Sequence, residues 1–266
     1  MIQEMTFTKQ NGRKIQGRMY LPGKPEEQAE KWPVVIFSHG FGGHYRELVH
    51  HGEGFAEAGI CCLFFDFCGG GEMSLSDGCM EEMTVGTECG DLKTVVSCIK
   101  ELNYVDRERI FLQGESMGGL VSALVAAEWA GEIRGLVLWY PAFSIPEDAA
   151  RRHRAGETEV FGICLGSAFD IQAMDIDVYR EISAYTGPVL MIHGTEDAVV
   201  PVECSRRAMQ VYENARLIEM PGAGHGYDGA DSAAAREHSI AFLQECCRTV
   251  LPLSDSRKNH FEFEAM

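Results

Sequence analysis

Uninterrupted apolar runs, set apart by longer polar or amphipathic stretches, constrain this chain more than any other feature. The runs are Pro33-Val-Val-Ile-Phe-Ser38, Ile60-Cys-Cys-Leu-Phe-Phe65, Arg109 to Leu112, Gly135-Leu-Val-Leu-Trp-Tyr140, Pro188-Val-Leu-Met-Ile-His193 and a shorter one, Ala215 to Met220. Most lack in-and-out alternation, so they read as strands buried on both faces. Helical patterns fit between them: Glu47 to Ala58, closed by Gly59; about Thr87 to Leu102, with Leu92, Val95, Val96 and Ile99 on one face; the stretch after Ser116 to about Trp129; and residues 202–213 and 231–249. Strands alternating with helices at this spacing predict an α/β fold with a mostly parallel sheet covered on both faces. Residues 2–9 and 13–21, joined at Asn11-Gly12, add an antiparallel N-terminal hairpin. Parallel strands need right-handed crossovers, which bring all their C-terminal ends to one edge. His39–Gly43, Ser116, Asp197 and His225 each follow a strand, so all four are expected at that edge.

One segment breaks the alternation. From Ala142 to about Ala184 no clean strand is visible, and Arg151, Arg152, His153 and Arg154 mix with Phe143, Phe161, Phe169, Met174 and Tyr179. A long insertion on the active edge reads as a small lid, against an ordinary elaborated crossover packed inward. The whole chain, 1–266, is expected to be one domain carrying this insertion, with residues 251–266 as a loosely held tail. A 266-residue chain is long enough for one large α/β domain.

Composition narrows the partners. The net charge of −17 argues against nucleic acid or an anionic membrane surface, because phosphate binding needs clustered Lys and Arg. No apolar run approaches the length of a membrane span, and the N-terminus lacks the basic and apolar regions of a signal peptide. The 10 cysteines include no Cys-x-x-Cys pair, and several fall in apolar or helical runs. They read as reduced thiols of a cytoplasmic protein, with neither a disulfide framework nor a metal site.

The residues with chemistry centre on Phe111-Leu-Gln-Gly-Glu-Ser-Met-Gly-Gly-Leu120, where an apolar strand ends and a helix begins. Gly-x-Ser-x-Gly at such a turn forms a nucleophile elbow: the strained turn lifts the serine hydroxyl clear of the sheet, and the glycines make room for it. Ser116 needs a base within hydrogen-bond reach. His225, flanked by Gly224 and Gly226 after the last short strand, is the candidate. His193 lies inside a buried strand run and fits a satisfied core histidine, and His39 is expected to shape the glycine loop. Asp197 is the candidate carboxylate to orient the base, with Glu196 as its rival. Oxyanion donors are expected from the backbone N–H groups of Met117 and Phe41. The spacings of His39–Gly43 and of Gly69-Gly-Gly71 fit no nucleotide-binding loop, and the latter reads as a flexible turn.

Taken together, Phe37-Ser-His-Gly-Phe-Gly-Gly43, Phe65-Asp-Phe67, Met83-Thr-Val85, Gly114-x-Ser-x-Gly-Gly119, the region Phe161 to Tyr179 and Ile192-His-Gly-Thr-Glu-Asp-Ala-Val-Val-Pro201 resemble the α/β-hydrolase superfamily, and more narrowly its bacterial cinnamoyl (feruloyl) esterases. The resemblance implies a serine esterase with Ser116, Asp197 and His225 as its triad; no cofactor and no metal are expected for this chemistry. It also implies a lid over an apolar acyl pocket, with Phe143, Phe161, Phe169 and Met174 as candidate lining, and small aromatic or medium-chain esters as substrates. Two stretches depart from the family pattern. Glu115 and Met117 flank the serine where His and Gln are usual, and Gly69-Gly70-Gly71 replaces Gly-His-Gly. An acyltransferase or thioesterase would use the same residues, and a ligand-binding protein could keep the same fold without turnover.

Overall fold

Five of the six apolar runs form the middle of an eight-stranded sheet, and the shorter one, Ala215 to Met220, forms one of its edges. In the computed structural model, which describes residues 1–27 and 29–249, β1 (Ile2–Thr8) and β2 (Lys14–Tyr20) make the expected antiparallel hairpin. β2 runs antiparallel to β4 (Cys61–Phe65). From there β3 (Trp32–Ser38), β5 (Val105–Glu115), β6 (Gly135–Trp139), β9 (Val189–Gly194) and β10 (Ala215–Met220) are all parallel. The tail expected over 251–266 lies outside the described residues.

Alternate residues of each central strand feed two separate cores. Val34 and Ile36 of β3 pack on one face with α2 (Val85–Lys100) and α3 (Ser116–Glu128). Val35 and Phe37 pack on the other with α1 (Gly52–Glu57) and α8 (Gly229–Arg248). That two-sided burial is why these runs are apolar at every position. Among the described residues no helix is long and apolar enough to cross a membrane.

Several boundaries differ from the sequence expectation for local reasons. α2 begins two residues before the expected Thr87 because Thr84 caps it. The Thr84 hydroxyl accepts from the Thr87 N–H at 3.1 Å, and the Thr87 hydroxyl accepts from the Thr84 N–H at 2.8 Å, a reciprocal cap worth about 1 kcal/mol. The helix expected over 202–213 ends early, as α7 (Glu203–Ala208). Beyond it the chain tightens into three-residue turns, with the Gln210 N–H donating to the Arg207 carbonyl and the Val211 N–H to that of Ala208. Gly69-Gly-Gly71 is not a loose turn. A Cβ at Gly69 would stand 2.3 Å from the Cys79 carbonyl oxygen and one at Gly71 2.5 Å from that of Gly43. These glycines are there because backbones press together.

The insertion after β6 folds as α4 (Ile145–Ala155), a two-residue-per-strand hairpin of β7 (Glu159–Val160) and β8 (Ile163–Cys164), α5 (Ser167–Met174) and α6 (Val178–Ile182). Its helices bury Ala149, Phe169, Ala173 and Ile182 against the main core. The hairpin instead carries Phe161 at its tip, 76% exposed and in the left-handed region at φ 52°.

Candidate active site

β5 ends at Glu115 and α3 starts at Ser116 with no residue between them, so the chain reverses on the serine itself. Ser116 takes φ 50°, a conformation that costs a non-glycine residue on the order of 1 kcal/mol or more. The glycines around it are sterically required. A Cβ on Gly114 would lie 2.2 Å from the Gly118 carbonyl oxygen, and one on Gly118 would lie 2.4 Å from the carbonyl oxygens of both Ser38 and His39. These contacts are backbone on both sides and cannot give way. Gly118→Ala should therefore destabilise the protein by roughly 3 kcal/mol, as overpacking does, read as a lower urea midpoint; a midpoint within error of the parent would contradict this account of the elbow.

Three of the sequence candidates converge on one hydrogen-bonded line. His225 Nε2 lies 2.9 Å from Ser116 Oγ, and His225 Nδ1 lies 2.8 Å from Asp197 Oδ2. A carboxylate can only accept, so Nδ1 carries the proton and Nε2 presents its lone pair to the serine hydroxyl. Asp197 Oδ1 accepts from the N–H groups of Val199 (2.9 Å) and Val200 (2.8 Å), which fixes the carboxylate plane. Burial pushes the Asp197 carboxyl upward, but hydrogen bonds from His193, His225 and the Val200 N–H outweigh it and hold the group well below the usual carboxylate range. It stays ionised as the partner of an imidazolium. The rival, Glu196, is exposed.

His193 is the satisfied core histidine its strand position suggested. Its Nδ1 meets Ser205 Oγ at 2.8 Å and its Nε2 meets the Val200 carbonyl at 2.9 Å. The sequence does not reveal that the same Nε2 also stands 3.3 Å from Asp197 Oδ2, giving that oxygen a second donor beside His225. His39 shapes the glycine loop as expected: its Nδ1–H donates to the Gly40 carbonyl at 2.8 Å, while Nε2 accepts the Phe67 N–H at 3.2 Å. Asp66, at the end of β4, accepts from the N–H groups of Tyr45 (2.6 Å) and Leu75 (2.7 Å) and so ties down the two loops beside it. Where a Cβ on Gly40 would stand is only 3.2 Å from Ser116 Cβ. Phe41 thus follows a residue pressed against the serine, and Met117 N–H opens α3 beside it.

Ser116 opens onto two cavities of about 370 Å³ each. The first lies under the insertion. Phe41, Met117, Ile145, Val160, Phe161 and Phe169 line it near the serine, and Ser144, Asp148, Arg151, Arg152, Glu157 and Glu159 give it polar walls. Arg152 is paired to Asp170 at 2.6 Å. The second lies on the His225 side, between the Gly40–His51 segment and Gly226–Tyr227. Of the four pocket candidates, Phe161 and Phe169 line the first cavity. Phe143 and Met174 do not: Phe143 is buried against Tyr179 at a ring separation of 6.1 Å, and Met174 packs on the core. Both belong to the inward faces that the bare run of apolar residues could not distinguish from the cavity face.

Two further residues meet at the site: Glu115 is marked in the sequence only by its departure from the family pattern, and Tyr140 by nothing. The Tyr140 hydroxyl donates to Glu115 Oε2 at 2.8 Å, and the Tyr140 ring lies 4.6 Å from that of His225. Burial pushes the Glu115 carboxyl up, against the Tyr140 hydroxyl and the Gly40 N–H, which pull it down.

Sheet order, elbow and hydrogen-bonded line define a class, and comparison with known proteins agrees. A family model described as serine aminopeptidase, S33, matches residues 29–168, and one described as TAP-like protein matches residues 172–249. The chain belongs to the α/β-hydrolase superfamily. Est1E from Butyrivibrio proteoclasticus, solved with ferulic acid bound, is 30% identical with a TM-score of 0.79, over 92% of this chain and 100% of that one. Curated relatives match more locally. An uncharacterized 31.7 kDa protein of Escherichia coli is 33% identical over 90 residues, 34% of this chain and 30% of that protein. Esterase LipC of Mycobacterium tuberculosis is 34% identical over 83 residues, 28% of this chain and 21% of that protein. The chain thus spans a third or less of the length of these curated relatives.

Proposed function

We propose that this protein is a serine carboxylesterase that works through an acyl-enzyme on Ser116 and prefers aromatic or medium-chain acyl groups. The observation that carries the reading is the unbroken line Asp197–His225–Ser116, at 2.8 Å and 2.9 Å, ending at a serine that opens onto a partly apolar cavity. In this reading His225 Nε2 takes the proton of Ser116 Oγ as that oxygen bonds to the ester carbonyl carbon. Asp197 stabilises the imidazolium, and the N–H groups of Phe41 and Met117 receive the oxyanion. His225 then returns the proton to the departing alkoxide. Water, activated by the same imidazole, hydrolyses the acyl-serine. No step calls on a metal or cofactor.

The acyl group belongs in the cavity under residues 142–184, which we read as a lid whose hairpin tip, Phe161, stands over the serine. Support for an aromatic acyl group comes from the rings of Phe41, Phe161 and Phe169, with ring centroids 6.4 Å and 6.3 Å apart from Phe41 outward, and from the ferulic acid held by Est1E. The polar wall at Ser144, Asp148 and Arg152 suits a hydroxylated far end. Because Phe161 is exposed, its truncation tests the pocket without emptying the core. Phe161→Ala should lower kcat/KM for methyl ferulate by about tenfold, the loss of one aromatic contact of about 1.4 kcal/mol, and change 4-nitrophenyl acetate by less than about threefold. Equal losses on both esters would remove the pocket assignment. A sharp preference for acetyl esters across an acyl-length panel would remove the aromatic reading and leave the triad standing.

A further inference from the structure

The second cavity has a side determined by the chemistry. A leaving alkoxide must receive its proton from His225 Nε2, so the alcohol part of the ester lies against His225 while the acyl part lies beyond Met117. The two cavities divide in that way: Met117 lines only the first, and His225, Gly226 and Tyr227 line only the second. The walls of the second are distinctive in charge. Glu115 stands at its base beside the serine and Glu47 at its rim, and among the described residues no Lys or Arg lines it. His51 also lines it, is 2% exposed, and has an Nδ1 with no hydrogen-bond partner among the described residues. Burial pushes its imidazolium down to about 3, so it contributes no positive charge. Aromatic rings add to the lining: Tyr140 and Tyr227 meet at 4.6 Å, edge to face, and Phe161 also borders the cavity.

Carboxylates and π faces without a competing cation form the environment that attracts an ammonium group. Resting on the esterase reading above, we propose that the second cavity selects esters whose alcohol carries a quaternary or protonated ammonium group, with Glu115 and Glu47 as its anionic contacts and Tyr227 as its aromatic one. Neither carboxylate is committed to a cationic side chain that would compete. Glu115 accepts from the Tyr140 hydroxyl, and among the described residues Glu47 has only the backbone N–H of His44 at 3.4 Å and its imidazole at 3.7 Å. The net charge of −17 raises the local concentration of any cation, so the test must separate the cavity from the field of the whole molecule.

Matched esters do so. Choline and 3,3-dimethylbutanol have nearly the same shape and differ by one positive charge, and both can carry the same 3-phenylpropionyl group. At one ionic strength the wild-type kcat/KM for the choline ester should exceed that for the dimethylbutyl ester by tenfold or more, about 1.4 kcal/mol. Glu115→Gln should bring the ratio to within about threefold of unity, and Glu47→Gln should lower it by a smaller factor. Each variant changes the total charge by one, which leaves the general field nearly intact. The neutral ester reports folding and catalytic competence in the same preparation. A wild-type ratio near one overturns the proposal, and so does a high ratio that survives both substitutions. If 4-nitrophenyl acetate is turned over in either case, the esterase reading stands alone. If no ester is turned over, that reading fails first.

Discussion

With Ser116 replaced by alanine, kcat for 4-nitrophenyl acetate is expected to fall by about 10⁶-fold, the scale of a triad that has lost its nucleophile. The argument is geometric. Ser116 Oγ is the atom 2.9 Å from the His225 Nε2 lone pair, and it sits where both cavities meet. Alanine keeps the Cβ and its left-handed backbone, so Tm should move by only a few degrees and the loss cannot be assigned to unfolding. His225, Asp197 and the backbone donors remain, and a residual rate above uncatalysed hydrolysis is expected from them. Turnover within a hundredfold of wild type in a folded Ser116→Ala protein would mean that the chemistry runs through another group.

The second large effect is expected at Asp197. Asparagine is isosteric with aspartate, but the structure leaves it only one orientation. The position of Oδ1 accepts two backbone N–H groups, from Val199 and Val200, so the amide oxygen must occupy it. The NH₂ then points at His225 Nδ1, where the carboxylate oxygen had accepted a proton. His225 must respond by carrying its proton on Nε2, facing the serine hydroxyl it was to deprotonate. This tautomer error costs about 10⁴ in kcat. His193 Nε2, 3.3 Å from the same Oδ2 position, meets the same unfavourable NH₂, so some stability is lost as well. Steady-state turnover of Asp197→Asn near the wild-type rate would transfer suspicion to Glu196, although that residue is exposed.

Much of this site is legible in the sequence because its constraints are local. Gly114, Ser116 and Gly118 are fixed by a turn whose backbone contacts leave no room for a Cβ, and such a turn marks itself in any chain that adopts it. Asp197 and His225 can be found because the strand map brings every strand end to one edge; their order along the chain is a consequence of sheet order. What could not be read depends on side chains from distant segments meeting. Phe143 and Phe169 look equivalent in sequence, yet one packs against Tyr179 in the core and the other walls the cavity. The hairpin around Phe161 has strands of two residues, too short for a period of two to register. Glu115 is visible as a departure from a family pattern, but its meaning needs Tyr140, Glu47 and His225, which reach it from three other elements. Gly69-Gly-Gly71 reads as a mobile stretch only until the partner backbones at Cys79 and Gly43 are known.

The central claim is that Ser116 is the nucleophile of an acyl-enzyme, and its most direct test is covalent. An alkyl fluorophosphonate mimics the tetrahedral intermediate and stays bonded to an activated serine. After reaction, intact-mass measurement should show one phosphonyl group per chain, peptide mapping should place it on Ser116, and esterase activity should fall in proportion to labelling. Asp197→Asn should label far more slowly, and Ser116→Ala should not label. A label on any other residue, or full ester turnover by a chain labelled at Ser116, would contradict the account.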